Sequence, residues 1–304
     1  MRSEAAQASR CGFVGVVGAP NVGKSTLLNR LVGAKISIVS ARPQTTRQTI
    51  RGILTEGAAQ AVFIDTPGIL TAPDAFNALL VESARRALRD CDLILHVTAP
   101  ETAGGPDEAE VLQALKRARR PVWLARNKGD LSKAWARAST AAERPTDVVY
   151  ERTFRVSART GHGLDALGRA VLESLPPGPW FYAEEDLSDR DLRFLCAELV
   201  REKAFAHLRR EVPYGLATWT ESWEERPNGT VYLEVGIETE RPAHKPIIVG
   251  AGGSMLGRIG KSARLEIERL LERKVHLELR VRVRPRWRQD PDELKRLGLG
   301  GDRG

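Results

Sequence analysis

The stretch GAPNVGKS, Gly18 to Ser25, restricts the fold more than any other part of the chain. Two glycines five positions apart, followed at once by Lys and Ser, require a strand that ends, a tight loop with inward N–H groups, and a helix starting near the lysine. The flanks agree: GFVGVVG is an apolar strand-type run, and TLLNRLV has helical spacing. Such a loop surrounds phosphate oxygens with backbone donors, while Lys24 neutralises terminal phosphates and the Ser25 hydroxyl is a ligand for Mg²⁺. A second Gly-Lys-Ser occurs in GRIGKSAR, Gly257 to Arg264, but five residues before its Gly260 stands Met255. That segment is itself helical in pattern, so Lys261 and Ser262 are expected on a helix flank.

From residue 12 to about 174, apolar runs alternate with helical patterns. GFVGVVG, AVFID, DLILHV and PVWLAR read as buried strands; Ser25 to Val32, Ala75 to Leu88, Asp107 to Arg117 and Gly163 to Leu175 read as helices. This alternation predicts a mostly parallel sheet with helices on both faces. LPPGPW, Leu175 to Trp180, breaks the pattern and reads as a linker. Beyond it, Asp189 to Arg210, Leu216 to Trp223, Thr230 to Glu238, a Gly-rich turn, a helix to about Arg273 and VHLELRVRV give helix, strand, strand, helix, strand. The expected division is residues 1–175 for an α/β P-loop domain, 176–189 for a linker and 190–304 for an α+β domain.

Three more short motifs follow the strand pattern. DTPG, Asp65 to Gly68, ends AVFID, so Asp65 stands at a strand's carboxyl end where it can hold Mg²⁺, and Gly68 can offer its N–H to a γ-phosphate. NKGD, Asn127 to Asp130, follows PVWLAR; the Asp130 carboxylate can accept from guanine's N1–H and exocyclic amine, which adenine cannot supply. SAR, Ser157 to Arg159, follows FRV and can supply an N–H to the guanine carbonyl. Lys24, Asp65 and Asn127 are spaced by 41 and 62 residues, and this order of motifs at strand ends points to a guanine nucleotide. The expected nucleotide contacts are Gly18, Ala19, Pro20, Asn21, Val22, Gly23, Lys24, Ser25 and Thr26, then Asp65, Thr66, Pro67 and Gly68, then Asn127, Lys128 and Asp130, then Ser157, Ala158 and Arg159. The polar loop SARPQTTRQT offers Thr46, with Thr45 the alternative, as a further Mg²⁺ ligand. The expected catalytic set is Lys24, Ser25, Thr46, Asp65 and Gly68, and the metal set is Ser25, Thr46 and Asp65.

Charge is unevenly placed. Lys and Arg against Asp and Glu number 24 to 17 over residues 1–178, 7 to 14 over 179–240 and 16 to 8 over 241–304. The basic last quarter points to a polyanionic partner, nucleic acid or anionic membrane, against the plain reading of a solvated face. Cys11, Cys91 and Cys196 are too few and too scattered for a disulfide framework or zinc site and are expected as buried thiols. The N-terminal MRSEAAQASR lacks a signal-peptide core and no long apolar run occurs, so a cytoplasmic location is expected.

GAPNVGKSTLLNRLVG, PQTTR, DTPG, NKGD and SAR together resemble the Era family of bacterial GTPases. LRFLCAELVREKAF, LRREVPYGLA, IVGAGGSMLGRIGKSARLEIERLL and VHLELRVRV resemble that family's RNA-binding KH domain, of type II. The resemblance implies a monomeric GTP-hydrolysing switch that binds GTP, GDP and Mg²⁺, binds the 3′ end of 16S ribosomal RNA and assists maturation of the 30S subunit. A peripheral association with the inner membrane is a further expectation. The KH loop G-x-x-G is Gly250-Ala251-Gly252-Gly253, with Lys245, Arg258 and Lys261 as flanking RNA contacts. Three departures stand out. Ala251 and Gly252 carry no charge where such loops commonly have a basic residue, Gly129 replaces a commonly apolar residue, and Ile69 follows DTPG where Ras-like enzymes keep a water-positioning glutamine. Slow intrinsic turnover follows, accelerated by RNA or the ribosomal partner; Arg42 and Arg47 are the arginines near enough to consider as charge stabilisers.

The alternatives are a membrane-surface GTPase using the Arg-rich strand Leu277 to Arg288 and a passive RNA binder with a vestigial nucleotide domain. In RVRVRPRWRQ the Val–Arg alternation also suits a strand with one solvated face, and Trp287 either stacks on a base or caps the core. His96, inside DLILHV, reads as a satisfied buried histidine rather than a catalytic one.

Overall fold

The computed structural model describes residues 9–40, 47–66, 82, 86, 88–136 and 147–297. They divide into two compact units, the first running to Ser37 and from Arg47 to Asp189, the second comprising 38–40 and Arg190 onward.

The first unit is built on a six-stranded sheet: β1 (Arg10–Val17), β2 (Ile50–Glu56), β3 (Ala59–Asp65), β4 (Leu93–Thr98), β5 (Val122–Arg126) and β6 (Arg152–Arg155), in the order β2-β3-β1-β4-β5-β6. Only β2 with β3 is antiparallel; the other pairs are parallel. Helices α1 (Lys24–Val32), α2 (Pro106–Leu115) and α3 (Leu164–Ser174) cover it. Strand alternation divides β1 between two cores: Phe13 and Val17 pack with Val111 and Leu115 of α2, while Val14 and Val16 point to the α1 and α3 side. Strands buried on both faces read as continuous apolar runs, and β3 and β4 do so. The carboxyl ends of β1, β3, β5 and β6 lie along one edge of the sheet. In open α/β sheets that edge is where ligands sit.

Residues 176–189 belong to this unit and are laid along it. Cys11 N–H donates to Pro176 O at 3.1 Å and Gly178 N–H to Ser9 O at 2.9 Å. Buried Gln60 accepts from the N–H groups of Phe181 and Tyr182, each at 3.0 Å, and Phe181 stacks on Phe13 with centroids 4.8 Å apart. Ile53 N–H reaches Leu187 O at 3.0 Å, so the segment also protects the outer edge of β2. The proline-rich composition predicts the extended backbone but not its anchoring, which depends on partners more than 100 residues away.

The second unit has α4 (Leu192–His207), β7 (Leu216–Glu225), β8 (Val231–Thr239), α5 (His244–Val249), α6 (Ser254–Leu271), β9 (Val275–Val283) and α7 (Pro291–Arg296). β7 and β8 are antiparallel, β8 and β9 parallel. The sequence pattern misses the six-residue α5, which falls between β8 and the glycine turn. Helix α4 starts at Asp191, whose carboxylate accepts from Phe194 N–H at 2.8 Å, a cap of about 1 kcal/mol. Ile259, Ala263 and Ile267 recur every fourth residue on α6 and are fully buried against Val231, Leu233, Val235 and Ile237. Each isoleucine contributes about 1.5–3 kcal/mol by burial.

The other face of this sheet carries paired charges. Arg280 meets Glu234 at 2.7 Å, Arg282 meets Glu221 at 2.9 Å, Arg284 meets Glu293 at 2.5 Å, and Arg288 binds Glu240. The acidic block of the sequence supplies the counter-charge for Arg280, Arg282 and Arg288. Trp287 is fully buried and donates its indole N–H to Gly215 O at 3.2 Å, so it caps the core rather than waiting for a base.

Candidate functional site

The loop after β1 depends on two backbone positions. Gly18 has φ 157° and a Cβ there would lie 2.2 Å from Val97 O; Gly23 has φ 96° and its Cβ would lie 2.5 Å from Asn127 Nδ2. Both are therefore closed to side chains. Ala19 and Val22 are buried, Asn21 at the exposed tip has φ 62°, and Pro20 and Thr26 are half-buried. Lys24, the first residue of α1, is buried and donates from Nζ to Gly18 O at 2.9 Å and Ala19 O at 3.0 Å. Burial lowers its pKa to about 8, opposed by the Asp65 and Glu108 carboxylates.

Asp65, at the carboxyl end of β3, is fully buried, and its Oδ2 accepts from Ser25 Oγ at 2.8 Å and from Ser37 Oγ at 2.9 Å. Thr66 is buried with its hydroxyl on Val16 O at 2.9 Å, a bond to the strand rather than toward the loop. Ser37 carries no motif, so sequence reasoning passes over it; Asn29 positions it by accepting from Ser37 N–H at 2.9 Å and donating to Ser37 O at 2.7 Å. This hydroxyl and carboxylate set is the hard-oxygen chemistry that suits Mg²⁺. Thr45, Thr46, Pro67, Gly68, Ile69 and Arg42 lie outside the described residues. Arg47 is buried.

Asn127 joins three motifs. Its Nδ2 donates to Val22 O at 2.8 Å, its Oδ1 accepts from Ala158 N–H at 2.9 Å, and its carbonyl accepts the indole N–H of Trp135 at 2.9 Å. Lys128 points away from these groups, to Glu101 at 3.1 Å. Gly129 N–H bonds Val156 O at 2.8 Å, and a Cβ there would stand 3.0 Å from that oxygen. Asp130 accepts from Ser157 Oγ at 2.6 Å and meets Arg159 at 2.7 Å. The Ser157 hydrogen bond first, and the Arg159 charge after it, hold its carboxyl below the usual carboxylate range. It is therefore an ionised acceptor, as reading N1–H and an amine requires.

In the second unit, Gly250 has φ 75°, Gly252 φ 56° and Gly253 φ 80°. A Cβ on Gly250 would sit 2.7 Å from Met255 N, which explains glycine at that corner. Ala251 and Gly252 form an exposed tip, and α6 begins at Ser254. Lys245, Arg258 and Lys261 are exposed on the flanking helices and make no ion pair among the described residues. The second Gly-Lys-Ser lies inside α6, where Ser262 Oγ contacts His207 Nε2 at 3.0 Å. It forms no phosphate loop. His96 is buried, with Tyr150 OH 2.9 Å from Nδ1 and Glu108 Oε1 3.3 Å from Nε2, which forms no hydrogen bond among the described residues; the satisfied histidine expected from the sequence is satisfied at one ring nitrogen. All three cysteines are free and buried, with burial raising Cys91 to about 11 and Cys196 to about 12.

Residues 13–128 match the family model of 50S ribosome-binding GTPases, and residues 211–288 match the KH domain. The GTPase Era of Geobacter metallireducens is 45% identical over 290 residues, covering 95% of this chain and 97% of its own. That of Rhizobium meliloti is 44% identical over 291 residues, covering 96% and 93%. The chain belongs to the Era GTPase family. It is accordingly a GTP hydrolase with a KH domain, yielding GDP and phosphate. Among solved structures, a single-residue variant of Aquifex aeolicus Era bound to GDP.AlF4- is 35% identical with TM-score 0.87, covering 96% of this chain and 100% of that one. Era in complex with MgGDPNP and nucleotides 1506–1542 of 16S ribosomal RNA matches with the same identity, TM-score and coverage. The Era family binds guanine nucleotide and RNA, and both motif sets expected for those ligands are present here.

Proposed function

We propose that this Era-family GTPase uses its nucleotide state to control binding of the 3′ end of 16S ribosomal RNA and thereby assists maturation of the 30S subunit, acting as a cytoplasmic monomer. The observation that carries the reading is that the chain has both the described guanine-nucleotide loops, Gly18–Thr26, Asn127–Asp130 and Ser157–Arg159, and an exposed G-x-x-G turn flanked by unneutralised cations, Lys245, Arg258 and Lys261. A relative of the same fold, 35% identical, was crystallised with both MgGDPNP and that RNA. The membrane alternative has less support, because four of the five arginines in the segment it would use, Arg280, Arg282, Arg284 and Arg288, are held by Glu234, Glu221, Glu293 and Glu240.

In this mechanism the backbone N–H groups of the Gly18–Ser25 loop, Pro20 excepted, and the Lys24 ammonium hold the β- and γ-phosphates, and the Asp130 carboxylate fixes the base. Ser25, Asp65 and a switch-loop threonine would hold Mg²⁺, which neutralises phosphate charge when bound. Lys24 exchanges its bonds to the Gly18 and Ala19 carbonyls for phosphate oxygens and stabilises charge as water attacks the γ-phosphorus in line. Since Ile69 cannot orient that water by hydrogen bonding, intrinsic turnover is slow and the RNA or ribosomal partner accelerates it. Single-turnover hydrolysis with and without purified small subunits tests this. Stimulation that vanishes in Lys24→Ala is expected, and an unchanged low rate contradicts it.

A further inference from the structure

The run Lys116-Arg117-Ala118-Arg119-Arg120 joins α2 to β5 and places four cations within five residues. Only Lys116 finds a counter-ion, Asp147. Arg117, Arg119 and Arg120 are exposed, and none of their guanidinium groups forms an ion pair among the described residues. This contrasts with Arg280, Arg282, Arg284 and Arg288, each held by a carboxylate. The formally basic strand segment is neutralised at four of its five arginines, Arg286 excepted, whereas this loop of the GTPase unit keeps three exposed arginines without an ion pair among the described residues.

The three arginines line a cavity of about 780 Å³, with Arg89, Glu82 and Glu110 on its other walls. Glu82 is already paired to Arg89 at 3.2 Å, which leaves three unpaired arginines against Glu110. The described apolar lining is small or already buried: Ala114, Ala118 and Leu88. Protein interfaces gain most of their energy from large apolar or aromatic anchors entering pockets, and among the described residues no large exposed apolar side chain lines this cavity. A lipid surface requires a flat or convex basic face, whereas this one is concave. A cationic groove tracks a phosphodiester backbone without needing apolar anchors, and guanidinium groups pair with phosphate in bidentate fashion.

We infer that the groove lined by Arg89, Arg117, Arg119 and Arg120 is a second, sequence-independent RNA-backbone contact on the GTPase unit, separate from the KH turn. The inference rests on the reading that this protein binds RNA. It adds that a long RNA contacts both units while a short one occupies the KH groove of about four bases alone.

The full-length protein and the triple substitution Arg117→Gln, Arg119→Gln, Arg120→Gln are compared for binding to single-stranded RNAs of about 10 and about 60 nucleotides as salt is varied. Three lost phosphate contacts at about 0.7 each lower the salt slope by about 2 and weaken the long-RNA complex about 50-fold at 0.15 M salt. Short-RNA affinity, GTP hydrolysis and melting temperature stay unchanged. The Arg→Lys triple variant keeps the charge and retains most of the slope. A long-RNA slope equal to wild type overturns the groove assignment alone and makes the run a solvated surface. Wild-type protein that binds neither RNA overturns the RNA reading as well. Loss of binding to phosphatidylglycerol vesicles or to polyglutamate, with long-RNA binding intact, assigns the groove to lipid or acidic protein and likewise overturns it.

Discussion

Replacing Asn127 by alanine tests whether this residue is a clamp between loops rather than only a neighbour of the base. Asn127 is 1% exposed and bonds two buried backbone groups, Val22 O at 2.8 Å and Ala158 N–H at 2.9 Å. Alanine leaves both without partners in a site too enclosed for water to replace the amide fully. Each orphaned group costs about 1–3 kcal/mol, so with two of them the nucleotide-free protein should lose about 2–6 kcal/mol in the GTPase unit. Asn127→Asp keeps an acceptor for Ala158 N–H but sets an oxygen against Val22 O, and should lose about half as much. The assay is urea unfolding of nucleotide-free protein monitored by hydrogen exchange of the β1–β6 amides, which reports the GTPase unit alone, because two units need not unfold in one transition. If Asn127→Ala unfolds within about 0.5 kcal/mol of wild type while losing GDP affinity, the clamp is wrong and the residue acts only through the ligand.

Lys24 links nucleotide binding to proton uptake. With a free-protein pKa of about 8, it is charged below that pH and increasingly neutral above it. Phosphate raises the pKa, so at pH 8.5 calorimetry in buffers of different ionisation enthalpy should show about 0.75 protons taken up per GDP bound, and affinity should fall as pH rises; no uptake would contradict the assigned burial. Asp130→Asn removes the acceptor for guanine's amine and presents a donor to xanthine's carbonyl. GTP affinity should drop at least about a hundredfold with xanthosine triphosphate then preferred, and an unaltered GTP preference in competition binding would refute the role. Trp287→Ala empties a fully buried site and breaks the bond to Gly215, so the KH unit should lose about 3–5 kcal/mol while GTP hydrolysis in the folded protein is unchanged. A stable variant with weakened RNA binding would assign Trp287 to stacking instead.

The phosphate loop is legible because its chemistry is local: glycine spacing, lysine and serine lie within eight residues and the flanking patterns declare strand and helix. The antiparallel edge strand β2 escapes the pattern, because ILTE is short and half polar and its burial comes from α1 above it. Its pairing with β3 through the Gly57 turn, φ 58°, is the available signal. Ser37 is invisible because a lone serine has no pattern; only Asn29 and Asp65 give it a place. The linker composition marks a break in helix and strand, yet its anchoring by Gln60 is long-range. For the same reason the arginines of β9 look like a binding surface until Glu221 and Glu234, far away in sequence, are seen beside them.

The most direct test of nucleotide-gated RNA binding is the affinity of the full-length protein for a short single-stranded RNA from the 3′ end of 16S ribosomal RNA, against a scrambled RNA, in GTP-analogue and GDP states at fixed salt. Tighter and sequence-selective binding in the GTP-analogue state is the predicted result. Equal affinity in the two nucleotide states, or no preference for the ribosomal sequence in either, would contradict it.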